Sequence, residues 1–476
     1  MNEALCYLSG AAALHLFRRR ILSPVELMQA VIDRAAAVEP KINAFTETYF
    51  ERALAQARAA ERRYLGQGPA PRPLEGLPLA VKEEFRLAGT RRCSGSLIFR
   101  DRIDDETDPL IGRLVDAGAI VHAKTTVPEC CLLGTTHSRR WGVTRNPWNL
   151  AMSPGGSSGG SGAALAAGTA TLATGTDIGG SIRIPAALCG IAGYKPPYGR
   201  NPEIPVYNLD FFAHSGPMAR GVADLALMQN VISGVEPRDI ASLRERIVLS
   251  STAPADLSGW KIAYSLDLDC FEVDEPVRRA TLSALAVFQS LGATVEPVEL
   301  GWTREMMNAG ETYLGHLWGA SVAELLPAHR AEMTDYAIAF GEQSGRSTAK
   351  DFRHALGLIA DMSGSFGPML DRYDLFVCPT LATSAVAAEQ VPQGRMVING
   401  NERPAEEGIW TMTTPFNMLS RCPVLAVPSG ARQDGVPIGI QLVARTYDDE
   451  RVFRAGLAYE AARPWFEPAQ AKPGFA

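Results

Sequence analysis

Residues 153–196 read SPGGSSGGSGAALAAGTATLATGTDIGGSIRIPAALCGIAGYKP, a stretch rich in glycine, serine and alanine. A glycine-rich loop that leads into a helix of small residues exposes backbone N–H groups, as phosphate-binding loops do. A nucleotide site is excluded here, because the stretch has neither G-x-x-x-x-G-K-[ST] nor G-x-G-x-x-G and no acidic residue placed for a ribose. The exposed N–H groups must therefore serve another chemistry.

The second half of the stretch predicts a sharp turn at Ser181. Residues 172–174 are strand-like and Pro185 suits the first turn of a helix, so Ser181 lies between a strand and a helix. The serine hydroxyl then points outwards, while the N–H groups of the turn converge on one point and its glycines let the backbone come close. Such an arrangement forms an oxyanion hole. The four N–H groups belong to Ile178, Gly179, Gly180 and Ser181.

Two segments of the stretch, 155–168 and 175–196, resemble the signature region of the amidase signature family. The resemblance is specific, because long motifs follow one another in order at the family's spacings. It extends to further segments, namely GLPLAVK (76–82), RNPWN (145–149), GPMAR (216–220) and the run 417–455. The family pattern is poorly matched only at about 300–410.

The resemblance implies a catalytic triad with Ser181 as nucleophile, Ser157 as bridge and Lys82 as base. A lysine acts as a base only in its neutral form, which burial and contact with hydroxyl groups favour. In the family the bridging serine follows a cis peptide, here Gly156–Ser157. The implied reaction is hydrolysis of a carboxamide-type C–N bond through an acyl-enzyme on Ser181.

Neighbouring residues are expected to support this triad. Asp177 and Arg183 flank the nucleophile, and we expect them to form hydrogen bonds that hold the turn. A loop near the active site in the family begins after a pair of threonines. The predicted substrate-binding residues are Gly155, Gly156, Thr135 and Thr136.

Apolar strands alternate with helices along the chain, which predicts a mainly parallel sheet covered on both faces. The family resemblance implies an α/β/α fold, in which an open, twisted, mixed sheet of roughly ten strands lies between helices. Residues 10–65 read as helices, with Ser23 as N-cap and Pro24 as the first helical residue. Without a repeat or a low-complexity linker, we expect one domain. Its parts are N-terminal helices (1–75), a catalytic core (76–200) and a variable helical region (300–370) within 1–476.

The composition excludes several classes of protein. The 476 residues are 46% hydrophobic and 21% charged, with a net charge of −6, as in an ordinary globular protein. Neither nucleic acid nor a membrane is an expected partner. No apolar run is long enough to span a bilayer, and Arg18, Arg19 and Arg20 follow the N-terminal apolar patch instead of preceding it. We expect a cytoplasmic protein, a monomer or a homodimer.

The eight cysteines are scattered, with no C-x-x-C pair and no Cys/His spacing that suits zinc. We therefore predict buried, reduced thiols and no metal site. The implied serine chemistry requires no cofactor.

Two other functions remain open. G-x-S-x-G occurs at 155–159 and at 156–160, as in the nucleophile elbow of a Ser-His-Asp α/β-hydrolase. That function needs a strand before the serine, which Ser153-Pro154 disfavours, and a downstream histidine. The available histidines are His214, His316, His329 and His354. The family also includes the glutaminase subunit of a tRNA-dependent amidotransferase, which supplies ammonia to a partner.

The substrate is predicted from the segments that follow the signature. They are rich in large apolar side chains, many of which must belong to the core, although some are expected to line the pocket. The side chains are Tyr207, Phe211, Phe212, Tyr313, Trp318, Tyr336, Phe340, Met362 and Phe366. They favour apolar or aryl acyl and amine groups over charged ones. The family resemblance implies aryl amides and, in some members, carbamates (urethanes). We therefore predict small aryl or apolar amides or carbamates as substrates, with malonamate and glutamine as poor ones.

Overall fold

The computed structural model of the chain describes residues 3–205, 207–466 and 473–474. The strands are β1 (Phe45–Thr48), β2 (Pro78–Lys82), β3 (Ile120–Thr125), β4 (His137–Ser138), β5 (Gly142–Val143), β6 (Leu172–Thr176), β7 (Ala192–Lys195), β8 (Ser215–Ala219), β9 (Lys261–Tyr264), β10 (Thr294–Pro297), β11 (Leu375–Pro379), β12 (Arg395–Ile398), β13 (Asn401–Pro404), β14 (Val424–Ala431) and β15 (Pro437–Val443). The α-helices are α1 (Glu3–Cys6), α2 (Gly10–Arg18), α3 (Pro24–Ile42), α4 (Phe50–Tyr64), α5 (Pro109–Asp116), α6 (Gly159–Ala167), α7 (Arg183–Cys189), α8 (Val222–Ile232), α9 (Glu275–Ser290), α10 (Arg304–Ala323), α11 (Leu326–His329), α12 (Asp335–Ser344), α13 (Ala349–Leu370), α14 (Glu407–Trp410), α15 (Pro415–Met418) and α16 (Asp449–Ala462). Short 3-10 turns cover Glu129–Cys131, Tyr207–Leu209 and Arg330–Glu332.

Eleven strands form one sheet in the order β1-β3-β2-β6-β8-β7-β14-β15-β11-β9-β10. The pairs β2–β3, β2–β6, β9–β10 and β9–β11 are parallel, and the other neighbouring pairs are antiparallel. The α/β fold with a large mixed sheet is confirmed, whereas the mainly parallel sheet expected from the alternation of strands and helices is wrong. The centre is antiparallel because β8 follows β7, and β15 follows β14, without an intervening α-helix.

Helices cover both faces of this sheet. Successive side chains of a strand point to opposite faces. In β2, Leu79 and Val81 join one buried cluster that contains Leu225 of α8, while Ala80 joins another that contains Ala164 of α6. Each strand of the sheet's centre therefore contributes to two apolar layers, which agrees with the α/β/α sandwich.

The N-terminal region matches its prediction in part. Ser23 is the N-cap of α3 with Pro24 as its first residue, and the Glu26 carboxylate accepts the Ser23 N–H at 2.8 Å. The prediction that residues 10–65 are entirely helical is wrong at β1, which pairs antiparallel with β3 at the edge of the sheet. Ladder hydrogen bonds to a distant strand stabilise β1, and local sequence does not reveal them.

The cysteines form no disulfide, and all eight are free thiols. Cys130, Cys131 and Cys270 are partly exposed, and the other five are buried. Across the described ranges, no group of three or more His, Cys, Asp or Glu side chains is arranged to hold a metal ion. In the same ranges, no helix has both the length and the apolarity to cross a membrane.

The sheet brings the predicted catalytic segments to one edge. β2 and β6 are parallel neighbours, so their carboxyl ends lie side by side. Lys82 is the last residue of β2 and Thr176 the last residue of β6. The turn 177–182 follows β6 and leads into α7, and the loop 153–158 leads into α6 on the same face.

Candidate active site

Lys82 forms the centre of a polar cluster at the end of β2. Its side chain is fully buried, and the side-chain nitrogen Nζ lies 2.8 Å from Ser157 Oγ and 2.5 Å from Thr176 Oγ1. The Lys82 backbone N–H donates to Thr174 Oγ1 at 3.1 Å, which ties β2 to β6. The lysine and the bridging serine predicted from the sequence are thus in direct contact.

Glu84 also faces Lys82, a contact that sequence reasoning missed. Glu84 Oε2 lies 3.2 Å from Lys82 Nζ and accepts the Thr176 hydroxyl at 2.6 Å. Burial by itself raises the pKa of the Glu84 carboxyl, but the Lys82 charge and the bond from Thr176 outweigh it and lower that pKa below its ordinary value. Glu84 is therefore an anion beside Lys82.

The loop before α6 presents Ser157. The Gly156–Ser157 peptide bond is cis, as the family resemblance implies. Gly156 leaves no room for a side chain, because a Cβ built on it would lie 2.3 Å from the Thr135 carbonyl oxygen. Thr136 Oγ1 donates to the Gly155 carbonyl at 2.8 Å and so anchors the loop. Ser157 is 1% exposed, and this backbone path places its hydroxyl beside Lys82 Nζ.

The two threonines predicted to bind substrate use their hydroxyls within the protein. Thr136 Oγ1 bonds to Gly155, and Thr135 Oγ1 donates to the Gln390 carbonyl at 3.0 Å. Both residues are buried. Their contacts support the shape of the Gly155–Gly156 backbone, and a direct contact with substrate stays a prediction.

Ser181 lies in the turn between β6 and α7, as the sequence predicts, and is 7% exposed. Within the described residues, the backbone N–H groups of this turn donate to no protein acceptor. The groups are those of Ile178, Gly179, Gly180 and Ser181. Gly180 has φ +132°, which a residue with a side chain rarely adopts, so glycine is required there. These free donors are available to an oxyanion.

The Gly179 carbonyl fixes the direction of these donors. It accepts the hydroxyls of Thr413 at 2.6 Å and Thr414 at 3.2 Å. Because a peptide unit is planar and trans, the Gly180 N–H points to the side opposite this carbonyl. Leu314 of α10 lies close by, since its Cδ1 would be 3.9 Å from a Cβ built on Gly179.

Asp177 and Arg183 form a buried ion pair that stabilises the turn. Arg183 Nε and Nη2 donate to the two Asp177 oxygens at 2.9 and 2.8 Å, and the Ile182 N–H donates to the same carboxylate at 3.2 Å. Burial raises the pKa of Asp177, but the Arg183 guanidinium and the Asn417 amide outweigh it and lower that pKa well below its usual range. The carboxylate therefore stays ionised beside the Ser181 turn.

Residues distant in sequence complete this support, and sequence reasoning missed their roles. Arg183 Nη1 donates to the Thr413 carbonyl at 2.8 Å and to Gln441 Oε1 at 2.7 Å, and Asn417 Nδ2 donates to Asp177 Oδ1 at 2.8 Å. The one signal in the sequence is that Asn417 begins the C-terminal run that matches the family.

The four candidate histidines form hydrogen bonds with groups other than Ser157 and Ser181. His214 is buried, with its ring nitrogens 3.1 Å from the Asp177 carbonyl and 3.0 Å from the Ser420 carbonyl. Burial, and then the nearby Lys195, lowers the pKa of His214 to about 3. The remaining candidates bond elsewhere, His316 to Ser347, His329 to Glu332 and His354 to Glu305.

The large apolar side chains divide into core and partly exposed groups. The buried ones are Phe212, Tyr313, Tyr336, Met362 and Phe366. The partly exposed ones are Tyr207, Phe211, Trp318 and Phe340. Tyr207 stacks on Trp318 with ring centroids 5.0 Å apart, and its phenol lies within electrostatic range of Glu84 and Cys131. This aromatic pair thus adjoins the Lys82 cluster.

The chain is similar to known amidases in sequence and in structure. The family model described as Amidase matches residues 26–453. The chain is 35% identical to an acylamidase of Rhodococcus erythropolis, with 93% of each chain covered. It is 32% identical to a glutamyl-tRNA(Gln) amidotransferase subunit of Carboxydothermus hydrogenoformans, covering 96% of this chain and 97% of that one. A bacterial aryl acylamidase of the amidase signature enzymes has a similar structure, with a TM-score of 0.91, 29% identity and 99% of each chain covered.

Proposed function

The chain belongs to the amidase signature family and is an amidase, and on this basis we propose that Ser181, Ser157 and Lys82 form its catalytic triad. The proposed reaction is hydrolysis of the C–N bond in small apolar or aryl amides and carbamates, through an acyl-enzyme on Ser181. The observation that carries the proposal is the 2.8 Å contact between Lys82 Nζ and Ser157 Oγ, next to the free N–H groups of the Ser181 turn.

In the proposed first step, Ser181 Oγ attacks the substrate carbonyl carbon. The Ser181 proton passes to Ser157 Oγ, and the proton of Ser157 passes to neutral Lys82 Nζ. The carbonyl oxygen becomes an oxyanion and accepts hydrogen bonds from the turn at 178–181.

The tetrahedral intermediate then collapses. Lys82 returns its proton through Ser157 to the leaving nitrogen, the C–N bond breaks, and the amine departs. Water attacks the acyl-enzyme by the same proton path and releases the acid, which restores the Ser181 hydroxyl. A carbamate presents its carbonyl to the same donors, and its acid product loses carbon dioxide.

The substrate class is proposed from the side chains around the turn. Ile178, Phe211 and Leu314 are partly buried and pack against one apolar cluster. The Tyr207–Trp318 pair adds a flat aromatic surface. Pockets of this composition favour apolar and aryl groups.

Asp210 holds this aromatic surface in position. Its carboxylate accepts Trp318 Nε1–H at 2.6 Å and the Tyr313 hydroxyl at 2.8 Å. Tyr313 in turn stacks on Phe212 with centroids 3.9 Å apart. A preorganised aromatic wall supports binding of a planar aryl group.

A substrate panel assayed with the isolated chain tests this proposal. We expect turnover of nitroanilides and an aryl carbamate, and poor turnover of an aliphatic amide, malonamate and glutamine. A fluorophosphonate should form one covalent adduct, which peptide mass spectrometry maps to Ser181. An adduct on Ser157 with none on Ser181 would reverse the assignment of the two serines.

A second candidate function is that of the glutaminase component of a tRNA-dependent amidotransferase, which the similarity to the Carboxydothermus hydrogenoformans protein favours. The same panel separates the two functions. Preference for glutamine, or activity only with an added partner protein, would support the amidotransferase, and gel filtration of the isolated chain gives its oligomeric state.

A further inference from the structure

Lys82 contacts an acidic group that the proposed triad does not use. Its Nζ has three oxygen neighbours, Ser157 Oγ at 2.8 Å, Thr176 Oγ1 at 2.5 Å and Glu84 Oε2 at 3.2 Å. An ammonium has three N–H donors and no acceptor, so each proton of a charged Lys82 finds a partner. The three oxygens therefore match the Lys82 ammonium that forms when Ser157 transfers its proton.

The Glu84 carboxylate is itself fixed in place. Thr176 donates its hydroxyl proton to Glu84 Oε2 at 2.6 Å while it accepts from Lys82. The hydroxyl thus links the two charges. Glu84 follows the end of β2, at the edge where the carboxyl ends of β2 and β6 lie side by side.

The other titratable groups around this pair are largely neutral at pH 7. Burial raises the pKa of the Cys131 thiol, which contacts both Ser157 and Glu84, and the pKa of Cys130 to about 12. Burial also raises the pKa of the Tyr207 phenol and that of Glu203 to about 8. Of the described groups that contact Lys82, Glu84 is the one that carries a negative charge.

We infer that Glu84 is a positioning residue that controls the proton on Lys82. This inference rests on the proposed triad. The Glu84 carboxylate stabilises the Lys82 ammonium that forms when Ser157 transfers its proton, and in the free enzyme it sets the pH above which Lys82 becomes available as a base.

The direction of the effect follows from electrostatics. An opposite charge within a few ångströms favours the charged form of its partner. Removal of the Glu84 charge therefore makes the neutral amine available at lower pH, and the base that remains is weaker. A weaker base accepts the serine proton less readily in the transition state.

The test is Glu84→Gln, which keeps the side-chain shape and an acceptor for Thr176 but removes the charge. We measure the rate of inactivation by a fluorophosphonate against pH, a readout that does not depend on the choice of amide substrate. The acidic limb of this profile should move to lower pH by about 1–3 units. The rate on the plateau should fall by about tenfold.

Matched controls separate this role from a structural one. Glu83→Gln changes the neighbouring residue, whose carboxylate accepts the Cys93 and Gly95 N–H groups instead of facing Lys82, and should leave the acidic limb in place. Glu84→Asp keeps the charge and should retain most of the wild-type limb. If Glu84→Gln does not fold, as thermal unfolding will reveal, Glu84→Ala provides a second uncharged variant with the same expected shift.

Two outcomes overturn the inference. One is an acidic limb that coincides with that of the wild-type chain, which leaves the proposed triad intact. The other is loss of reaction at every pH in a folded variant, which would assign the role of base to Glu84 instead of Lys82. Failure of the triad gives a different result, namely a fluorophosphonate rate that survives Ser181→Ala.

Discussion

At the residue scale, the proposed chemistry depends on a few atoms held at hydrogen-bond distance. Lys82 Nζ touches Ser157 Oγ, and the Ser158 N–H donates to the Ser181 carbonyl at 3.3 Å, so the two serine segments are joined directly. Such fixed geometry is what proton transfer between hydroxyls requires.

The three members of the triad should differ in how much activity their loss removes. Ser181→Ala removes the atom that forms the acyl bond, so turnover of an aryl amide should fall to background. Lys82→Ala removes the base and should reduce kcat by about 10³–10⁴-fold. Ser157→Ala should reduce kcat by a smaller factor, about 10²-fold, since water can relay the proton between Lys82 and Ser181.

The measurement for this series is kcat with one nitroanilide, and thermal unfolding checks that each variant is folded. Ser290→Ala, on the exposed end of α9, is a control that should keep full activity. Full activity in Ser181→Ala would contradict the assignment.

At the element scale, the turn between β6 and α7 is shaped by a segment more than two hundred positions away in the chain. The Thr413 carbonyl accepts a hydrogen bond from Arg183 Nη1, and the Thr413 hydroxyl donates one to the Gly179 carbonyl. A Cβ on Gly180 would lie 2.0 Å from Thr413 Oγ1, so the two segments are in close contact. The orientation of the N–H groups proposed to bind the oxyanion is thus set by packing as well as by the glycines.

Thr413→Val should reduce kcat by about tenfold with little change in KM, because it removes the bond that orients the Gly179–Gly180 peptide unit. Steady-state kinetics with an aryl amide measures both constants. Thr414→Val is the matched control, since Thr414 donates to the same carbonyl at the longer distance of 3.2 Å, and its effect should be smaller. A rise in KM alone in Thr413→Val would count against an oxyanion role.

At the scale of the whole molecule, several buried ionisable groups lie around the Ser181 turn. Asp177, Arg183, His214 and Lys195 are all buried, and they join β6, β7, β8 and the C-terminal segment. Burial, and then the Arg183 charge, lowers the pKa of Lys195 to about 7. His214 is held neutral in the folded chain, because burial and then Lys195 lower its pKa to about 3.

His214 should contribute a loss of folding stability on acidification. The pKa of His214 is about 3 in the folded chain and about 6.5 in the unfolded one, so between these values this group binds more protons in the unfolded state. The contribution of His214 to the free energy of unfolding therefore rises with pH across this window, and it is lost as pH falls from about 6.5 towards 3. Between pH values of about 6.5 and 4.5 this one group accounts for about 2 kcal/mol.

Urea unfolding at pH values of about 6.5 and 4.5 measures this difference. His214→Gln should reduce it by about 2 kcal/mol, since glutamine does not titrate. His354→Gln, on the exposed face of α13, is the control and should leave the difference unchanged. An equal pH dependence in wild type and His214→Gln would contradict the prediction.

Much of the fold and site is readable from the sequence, and the failures share one cause. The Ser181 turn, the Ser23 cap and strand β6 lie where predicted, because each depends on neighbouring residues. Sequence patterns do not predict the edge strand β1 or the antiparallel centre of the sheet, because strand pairing joins residues far apart in the chain. The contact between Glu84 and Lys82 also escapes them, because Glu84 lies in the turn after β2 and its direction depends on the tertiary structure.

Three features of this protein follow from the sequence without a structure. They are the family motifs, the candidate residues Lys82, Ser157 and Ser181, and the glycines that leave the N–H groups of the turn free. These features are local, since backbone conformation at glycine and the start of a helix depend on adjacent residues. Three other features follow only from the folded chain, namely the acceptors around Lys82, the reach of Thr413 and Asn417 to the turn, and the aromatic side chains that adjoin the site. Contacts of this kind depend on how distant segments pack together, and packing is a property of the whole chain.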